Sequence, residues 1–220
     1  MEELIFTPTQ GIVFDELAKS QKLKERFYFT GGTALSVFYL QHRYSDDLDF
    51  FSNRPFDFNL ALDFMNKVAV LLGGHLLFSD KERVVVFQLM KDNQLLIKVD
   101  FGYYPYLSLK EGRVEQGVVI DSLYDIAVNK LLTINQRREV KDFVDLYFLL
   151  QKDFSVWDLL YGVEAKFKME LDLIWLGSDF LKKSRGFTFL PKMIKPLELS
   201  ELQRFFRELA LEVGGKAIEP

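Results

Sequence analysis

Asp47 and Asp49 stand two residues apart in Asp46-Asp47-Leu48-Asp49-Phe50-Phe51. On an extended strand that spacing puts both carboxylates on one face, with Leu48 and Phe50 on the other. Two like charges this close repel, and a bound cation, or protonation of one of them, is the usual compensation. A third acid, Asp100, stands in Leu95-Leu96-Ile97-Lys98-Val99-Asp100-Phe101, where alternation sets Lys98 and Asp100 opposite Leu95, Ile97, Val99 and Phe101. If the two strands are neighbours, three carboxylates meet. Such a set can bridge two Mg²⁺ ions, which in phosphoryl or nucleotidyl transfer activate the attacking hydroxyl and stabilise the leaving pyrophosphate. Taken alone, Asp-x-Asp also fits a solvated strand edge.

Upstream, Gly31-Gly32-Thr33 follows the aromatic run Phe27-Tyr28-Phe29-Thr30 and precedes a helix-compatible stretch. Backbone N–H groups at such a turn, with the positive end of a helix dipole, suit a phosphate; glycine lets a triphosphate approach the backbone and Thr33 adds a hydroxyl. The competing explanation is a tight turn that needs glycine for geometry, with Thr33 as helix cap.

Composition limits the chemistry. There is no cysteine, and the only histidines are His42 and His75, which excludes a disulfide framework, a thiolate nucleophile and a Cys/His zinc site. Any metal must be hard and oxygen-bound. The net charge of −4 and pI near 5.4 argue against a general nucleic-acid coat. With 49% apolar and 27% charged residues the chain reads as a globular protein. No apolar run nears the roughly 20 residues that cross a bilayer, and MEELIFTPTQ carries acids where a leader would be basic. A cytoplasmic protein without membrane contact is expected. The 22 phenylalanines fall mostly in apolar periodic segments and are expected in the core.

The elements that must position these residues follow from periodicity. Strands are predicted at 27–30, 47–51, 76–79, 83–90 and 95–101, the last two a hairpin across Lys91-Asp92-Asn93-Gln94. Helices are predicted at 33–41 and 57–72 and then, from Ser122 onward, at 122–137, 139–152, 155–168 and 199–213. This is an α+β protein with a mixed sheet and a helical C-terminal half, divided as an α/β core over 1–115 and a helical half over 116–220. On the helix from Ser122, Lys130 lies within the stripe Leu123, Ile126, Ala127, Leu131 and Ile134; a lysine there either contacts an anion such as nucleotide phosphate or snorkels to solvent. Asp142 and Asp145 share a face of the next helix and could orient Lys130, an arginine or the acceptor. Arg43 and Ser45 could hold their loop or touch phosphate. Arg137, Arg138 and Lys141 form a short basic run that would suit a polyanionic acceptor.

Phe29-Thr30-Gly31-Gly32-Thr33-Ala34-Leu35, His42-Arg43-Tyr44-Ser45-Asp46-Asp47-Leu48-Asp49, the later Asp100, Lys130 and Lys141-Asp142-Phe143-Val144-Asp145-Leu146 together closely resemble the AbiEii/AbiGii toxin family of the polymerase-β-like nucleotidyltransferase superfamily. The resemblance spans roughly residues 27–150. It implies a polymerase-β-like fold with flanking helices, and a Mg²⁺- or Mn²⁺-dependent enzyme moving a nucleoside monophosphate from an NTP to an acceptor hydroxyl. It further implies a toxin of a toxin–antitoxin or phage-defence pair, with tRNA or another cellular acceptor and a cognate antitoxin. Asp47, Asp49 and Asp100 would hold the metals, Asp100 helping to deprotonate the nucleophile. Lys130 and Asp145 would join them in catalysis, and Gly31, Gly32, Thr33, Arg43, Ser45, Lys130 and Asp142 would hold the nucleotide. The alternatives are a small-molecule nucleotidyltransferase of the aminoglycoside-modifying kind and a non-catalytic nucleotide-binding module.

Overall fold

The computed structural model describes residues 5–217. It divides into two compact units, one comprising the chain up to Tyr39 with Ser45–Ser122, the other Leu40–Tyr44 with the chain from Leu123 onward.

The first unit opens with two helices that the periodicity left unassigned, α1 (Pro8–Ala18) and α2 (Gln21–Arg26). The signal for α1 is a capping box: the Thr7 hydroxyl accepts from the Gln10 backbone N–H while the Gln10 side chain accepts from that of Thr7, with Pro8 beginning the helix. There follow β1 (Tyr28–Thr30), α3 (Gly31–Leu35), a π-helical turn over Ser36–Leu40, β2 (Leu48–Ser52) and α4 (Phe58–Leu72). Gly73 ends α4 in the left-handed conformation. β3 (His75–Lys81), β4 (Val84–Lys91), β5 (Gln94–Tyr103), β6 (Arg113–Glu115) and β7 (Val118–Ile120) complete one seven-stranded sheet of order β3-β4-β5-β2-β1-β7-β6. The expected β4–β5 hairpin turns through Asp92 and Asn93, both at positive φ, as a two-residue turn requires.

The sheet is mixed: β2 runs parallel to β5 and β1 parallel to β7, while the other pairs are antiparallel. Its register sets the chemistry. Phe29, Phe50 and Phe101 are aligned across β1, β2 and β5, and all three are fully buried with successive ring centroids 5.0 and 5.5 Å apart. The next position along each strand, on the opposite face, gives the row Thr30, Asp49, Asp100. A one-residue slip would drive these acids into the aromatic core and bring the phenylalanines out, so the core fixes the carboxylates.

The second unit consists of α5 (Leu123–Gln136), α6 (Val140–Lys152), α7 (Val156–Phe167), α8 (Leu173–Arg185) and α9 (Leu199–Lys216). The motif pattern gave no indication of α8, whose apolar Ile174 and Trp175 face solvent beside buried Leu176 and Phe180. Phe143, Phe180 and Phe206 form its aromatic centre, with ring centroids 4.8 and 5.4 Å apart. A buried ion pair of 2.7 Å joins Lys166 on α7 to Asp125 on α5. The division falls after Ser122 and not at 115, because β7 pairs in register with β1 and so belongs to the sheet. Among the described residues no helix is long and apolar enough to cross a membrane.

Candidate active site

The carboxylates gather on the polar face of the sheet. Asp49 lies in β2 opposite Asp100 in β5, whereas Asp47 falls just ahead of β2 and not within the strand as expected. Lys98, which shares a face with Asp100, brings the two ends together: its Nζ is 2.8 Å from Asp100 Oδ2 and 3.6 Å from Asp47 Oδ2. Burial works against the Lys98 charge, but Asp100, Asp47 and Asp49 outweigh it and hold the ammonium above its ordinary range. Burial pushes the Asp100 carboxyl up, with Lys98 opposing. Lys98 was not among the expected site residues, although its position two before Asp100 was the available signal.

The second Asp100 oxygen, Oδ1, is buried and has no hydrogen-bond partner. A carboxylate oxygen withheld from water and from donors is costly unless something binds it, and all three acids supply the oxygen donors that a hard cation takes. Among the described residues no three His, Asp or Glu side chains stand close enough to hold a metal as they are. The fit therefore rests on donor type and on this one unpartnered oxygen.

The glycine turn is built around the same acids. Gly31 has φ +78°, and a Cβ there would fall inside the Asp49 carboxylate; the close approach follows from the pairing of Thr30 with Asp49. The Thr33 side chain is buried and its hydroxyl donates to the Asp47 backbone carbonyl, so it fixes the start of β2 and does not point to solvent. On the other side, the Gln10 amide of α1 donates to the carbonyls of Ser45 and Asp46 at 2.7 and 3.1 Å. Sequence reasoning missed Gln10 entirely. Only the fold places α1 against this loop.

In the helical unit a second set of charged residues closes on itself. Asp145 Oδ1 accepts from Arg43 Nε at 2.6 Å and Oδ2 from the second guanidinium nitrogen at 2.9 Å, a bidentate pair of the strong kind. The same carboxylate meets His42 Nε2 at 2.7 Å and Lys130 Nζ at 2.6 Å. Lys130 also reaches Asp142 at 2.8 Å, and Asp142 in turn receives Arg137 Nε at 2.7 Å. Burial alone would raise the Asp145 pKa, but Lys130 and Arg43 drive it well below the ordinary carboxylate range. Lys130 is 7% exposed; burial lowers its pKa, yet Asp145 and Asp142 raise it above normal. Burial keeps His42 below its usual value, and its Nδ1 has no partner. Of the roles open to Arg43, the structure shows it holding the loop, and Lys130 answers to the two aspartates with little surface left for a phosphate. The sequence allowed both outcomes because it gives residue types, not distances between helices.

A family model described as nucleotidyl transferase AbiEii toxin, type IV toxin–antitoxin system, matches residues 14–213. The chain belongs to the AbiEii nucleotidyltransferase toxin family. The match reaches well past residue 150 and takes in most of the helical unit. The chain is 35% identical over 139 residues to "Uncharacterized protein aq_aa25" of Aquifex aeolicus (strain VF5), covering 60% of this chain and about three-fifths (61%) of that one. Two solved structures share the fold. JHP933 from Helicobacter pylori has a TM-score of 0.56 at 21% identity, over 95% of this chain and 90% of that one. The nucleotidyltransferase toxin MenT4 from Mycobacterium tuberculosis H37Rv has a TM-score of 0.53 at 14% identity, over 92% and 82%.

For this AbiEii family chain, the packing of Gly31 against Asp49 gives a direct test. Gly31→Ala is expected to lose about 1–2 kcal/mol from the left-handed backbone alone, and more because Asp49 must move. A lowered melting temperature together with loss of metal-dependent NTP binding is the expected pair of results. Unchanged nucleotide binding would show that the turn does not set the Asp49 carboxylate.

Proposed function

We propose that this protein is a divalent-metal-dependent nucleotidyltransferase that moves a nucleoside monophosphate from an NTP to an acceptor hydroxyl, as the toxin of a toxin–antitoxin pair. The observation that supports it most is the aligned pair Asp49 and Asp100, with an unpartnered buried oxygen on Asp100 and Gly31 pressed against Asp49. Asp47, Asp49 and Asp100 would hold Mg²⁺ or Mn²⁺. Bound there, the metal supplies Lewis-acid polarisation of the phosphates and charge neutralisation at the leaving pyrophosphate. The Gly31-Gly32 backbone at the turn into α3 receives the triphosphate beside Asp49, whose carboxylate lies against Gly31. Asp100 accepts the proton of the acceptor hydroxyl as its oxygen bonds to the α-phosphorus and the bond to pyrophosphate breaks.

Arg43, Ser45, Asp142, Asp145 and Lys130 then act by support. Asp145 clamps Arg43 in the loop that runs on to Asp47, and Lys130 and Asp142 keep that clamp charged and closed. tRNA is the acceptor we favour, in keeping with the toxin family. Arg137 and Arg138 are poor candidates to grip it alone, since Arg137 pairs with Asp142, and Arg138 donates to the Lys183 carbonyl and lies over the Phe187 ring.

The test is incubation of the purified protein with each α-labelled NTP, Mg²⁺ or Mn²⁺, and total RNA. Label is expected in a discrete RNA band with one preferred NTP, and EDTA should abolish it. Label on a small molecule would move the acceptor away from RNA. Failure to bind or transfer any NTP with either metal would refute the reading.

A further inference from the structure

Lys98 is an unusual neighbour for a metal site. Its Nζ lies 2.8 Å from Asp100 Oδ2 and 3.6 Å from Asp47 Oδ2, and its side chain is 28% exposed. It is carried on β5 only two residues before Asp100, so its charge cannot diffuse away as a free ion would and can only swing. Each carboxylate lone pair that accepts from an ammonium is withheld from a cation approaching the same lobe. The Asp100 oxygen that Lys98 leaves alone is the one buried without a partner. Lys98 therefore neutralises the acids and occupies part of their coordinating capacity at once.

Resting on the nucleotidyltransferase reading above, we propose that Lys98 is the built-in counter-ion of the carboxylate row, competing with the divalent cation for Asp100 and Asp47 and turning off these oxygens when the cation binds. The displaced ammonium then needs an anion, and a triphosphate beside the row supplies one. Cation and nucleotide are coupled through this side chain: each favours the arrangement in which Lys98 has left the carboxylates, and by linkage the coupling acts equally on both affinities. In the absence of nucleotide the same competition holds cation affinity down, which keeps the site from filling with metal when no substrate is present.

The proposal is tested by titrating the full chain with Mn²⁺ alone, by calorimetry or electron paramagnetic resonance, with and without a non-hydrolysable NTP analogue. Lys98→Met and Lys98→Gln are expected to bind Mn²⁺ alone about tenfold more tightly than wild type, the size of effect one charge at this range has on a carboxylate. The gain in Mn²⁺ affinity on adding the analogue should shrink in both. Lys98→Arg keeps the charge and should stay close to wild type, so that the gain in Mn²⁺ affinity of the neutral variants is traced to the lost charge. In EDTA the two neutral variants should melt below wild type, because the acids have lost their counter-ion, and Mn²⁺ should raise their melting temperature by more than it raises that of wild type. Equal or weaker Mn²⁺ binding by the neutral variants overturns the proposal. Asp49→Asn separates this from failure of the site itself: if it leaves Mn²⁺ binding unchanged, the cation is not held at the carboxylates, and the underlying reading falls together with the proposal.

Discussion

Asp49→Asn and Asp47→Asn are each expected to lower nucleotidyl transfer about a thousandfold while leaving the protein folded. A metal-held phosphoryl centre contributes several kcal/mol of transition-state stabilisation, and each 1.36 kcal/mol is about a factor of ten in rate. Asparagine matches aspartate in shape, so the packing of Asp49 against Gly31 survives the exchange. Neither acid lies in the core: Asp47 is 33% exposed, and the row is anchored by Phe29, Phe50 and Phe101 on the other face. Removing one of several like charges also relieves repulsion, so the melting temperature in EDTA should hold or rise slightly. Transfer near the wild-type rate in both variants would sink the mechanism. A large loss of stability in either would mean that the acids serve the fold.

The second large effect is on stability. Asp145→Asn is expected to destabilise the protein by about 3–5 kcal/mol at neutral pH, because it leaves buried cations without their counter-charge. Asp145 is fully buried and receives both arms of Arg43, the His42 ring and Lys130. Asp142, the remaining acid near Lys130, is already shared with Arg137.

The sign with pH follows from the direction of each shift. Asp145 and Asp142 have folded-state pKa values below the ordinary 3.8, so the unfolded chain binds protons first as pH falls. Their stabilisation is full above pH 4 and is lost progressively below it. Lys130 is raised above 10.5, so its share is present below that value and lost only as pH climbs beyond it. His42 is held below 6.5, which adds an earlier decline as pH falls through that region. Urea denaturation of wild type and variant should show the full gap from about pH 5 up to about pH 10, and a gap that narrows progressively as pH falls below about 4. Equal stability at pH 7 would mean that the buried network contributes nothing net. A gap that persists undiminished at pH 3 would mean that packing, not charge, is what Asp145 supplies.

Several parts of this protein could be read from the order of residues alone. Alternation and spacing placed Asp47 and Asp49 on one strand and Asp100 on another, which holds for Asp49 and Asp100, while Asp47 falls just ahead of β2. The Asp92-Asn93 hairpin and the Gly73 helix stop are local events, decided by which residues tolerate positive φ. The order of Gly-Gly-Thr, Asp-x-Asp, Asp, Lys and Asp-x-x-Asp was enough to suggest the family, because a motif set is a property of sequence. Even the missed α1 carried a local signature in its capping box.

Contacts between segments distant in sequence were decided only by the tertiary structure. That β2 lies beside β5 in the register that sets Asp49 opposite Asp100 depends on the shared aromatic core and not on either strand by itself. Lys98 looked like one more polar residue on a strand until the fold brought Asp47 to within 3.6 Å of it. In isolation, Arg43, Lys130 and Asp142 each had a nucleotide-binding explanation, and Asp145 a catalytic one. Packed together, they satisfy one another, because a buried charge is stable only with a partner, and the partner is chosen by helix packing across a hundred residues of chain. The sequence could therefore name the side chains whose types suit the chemistry, while distance and burial, which belong to the folded chain alone, separated the acids on the polar face of the sheet from the charges enclosed in the helical unit.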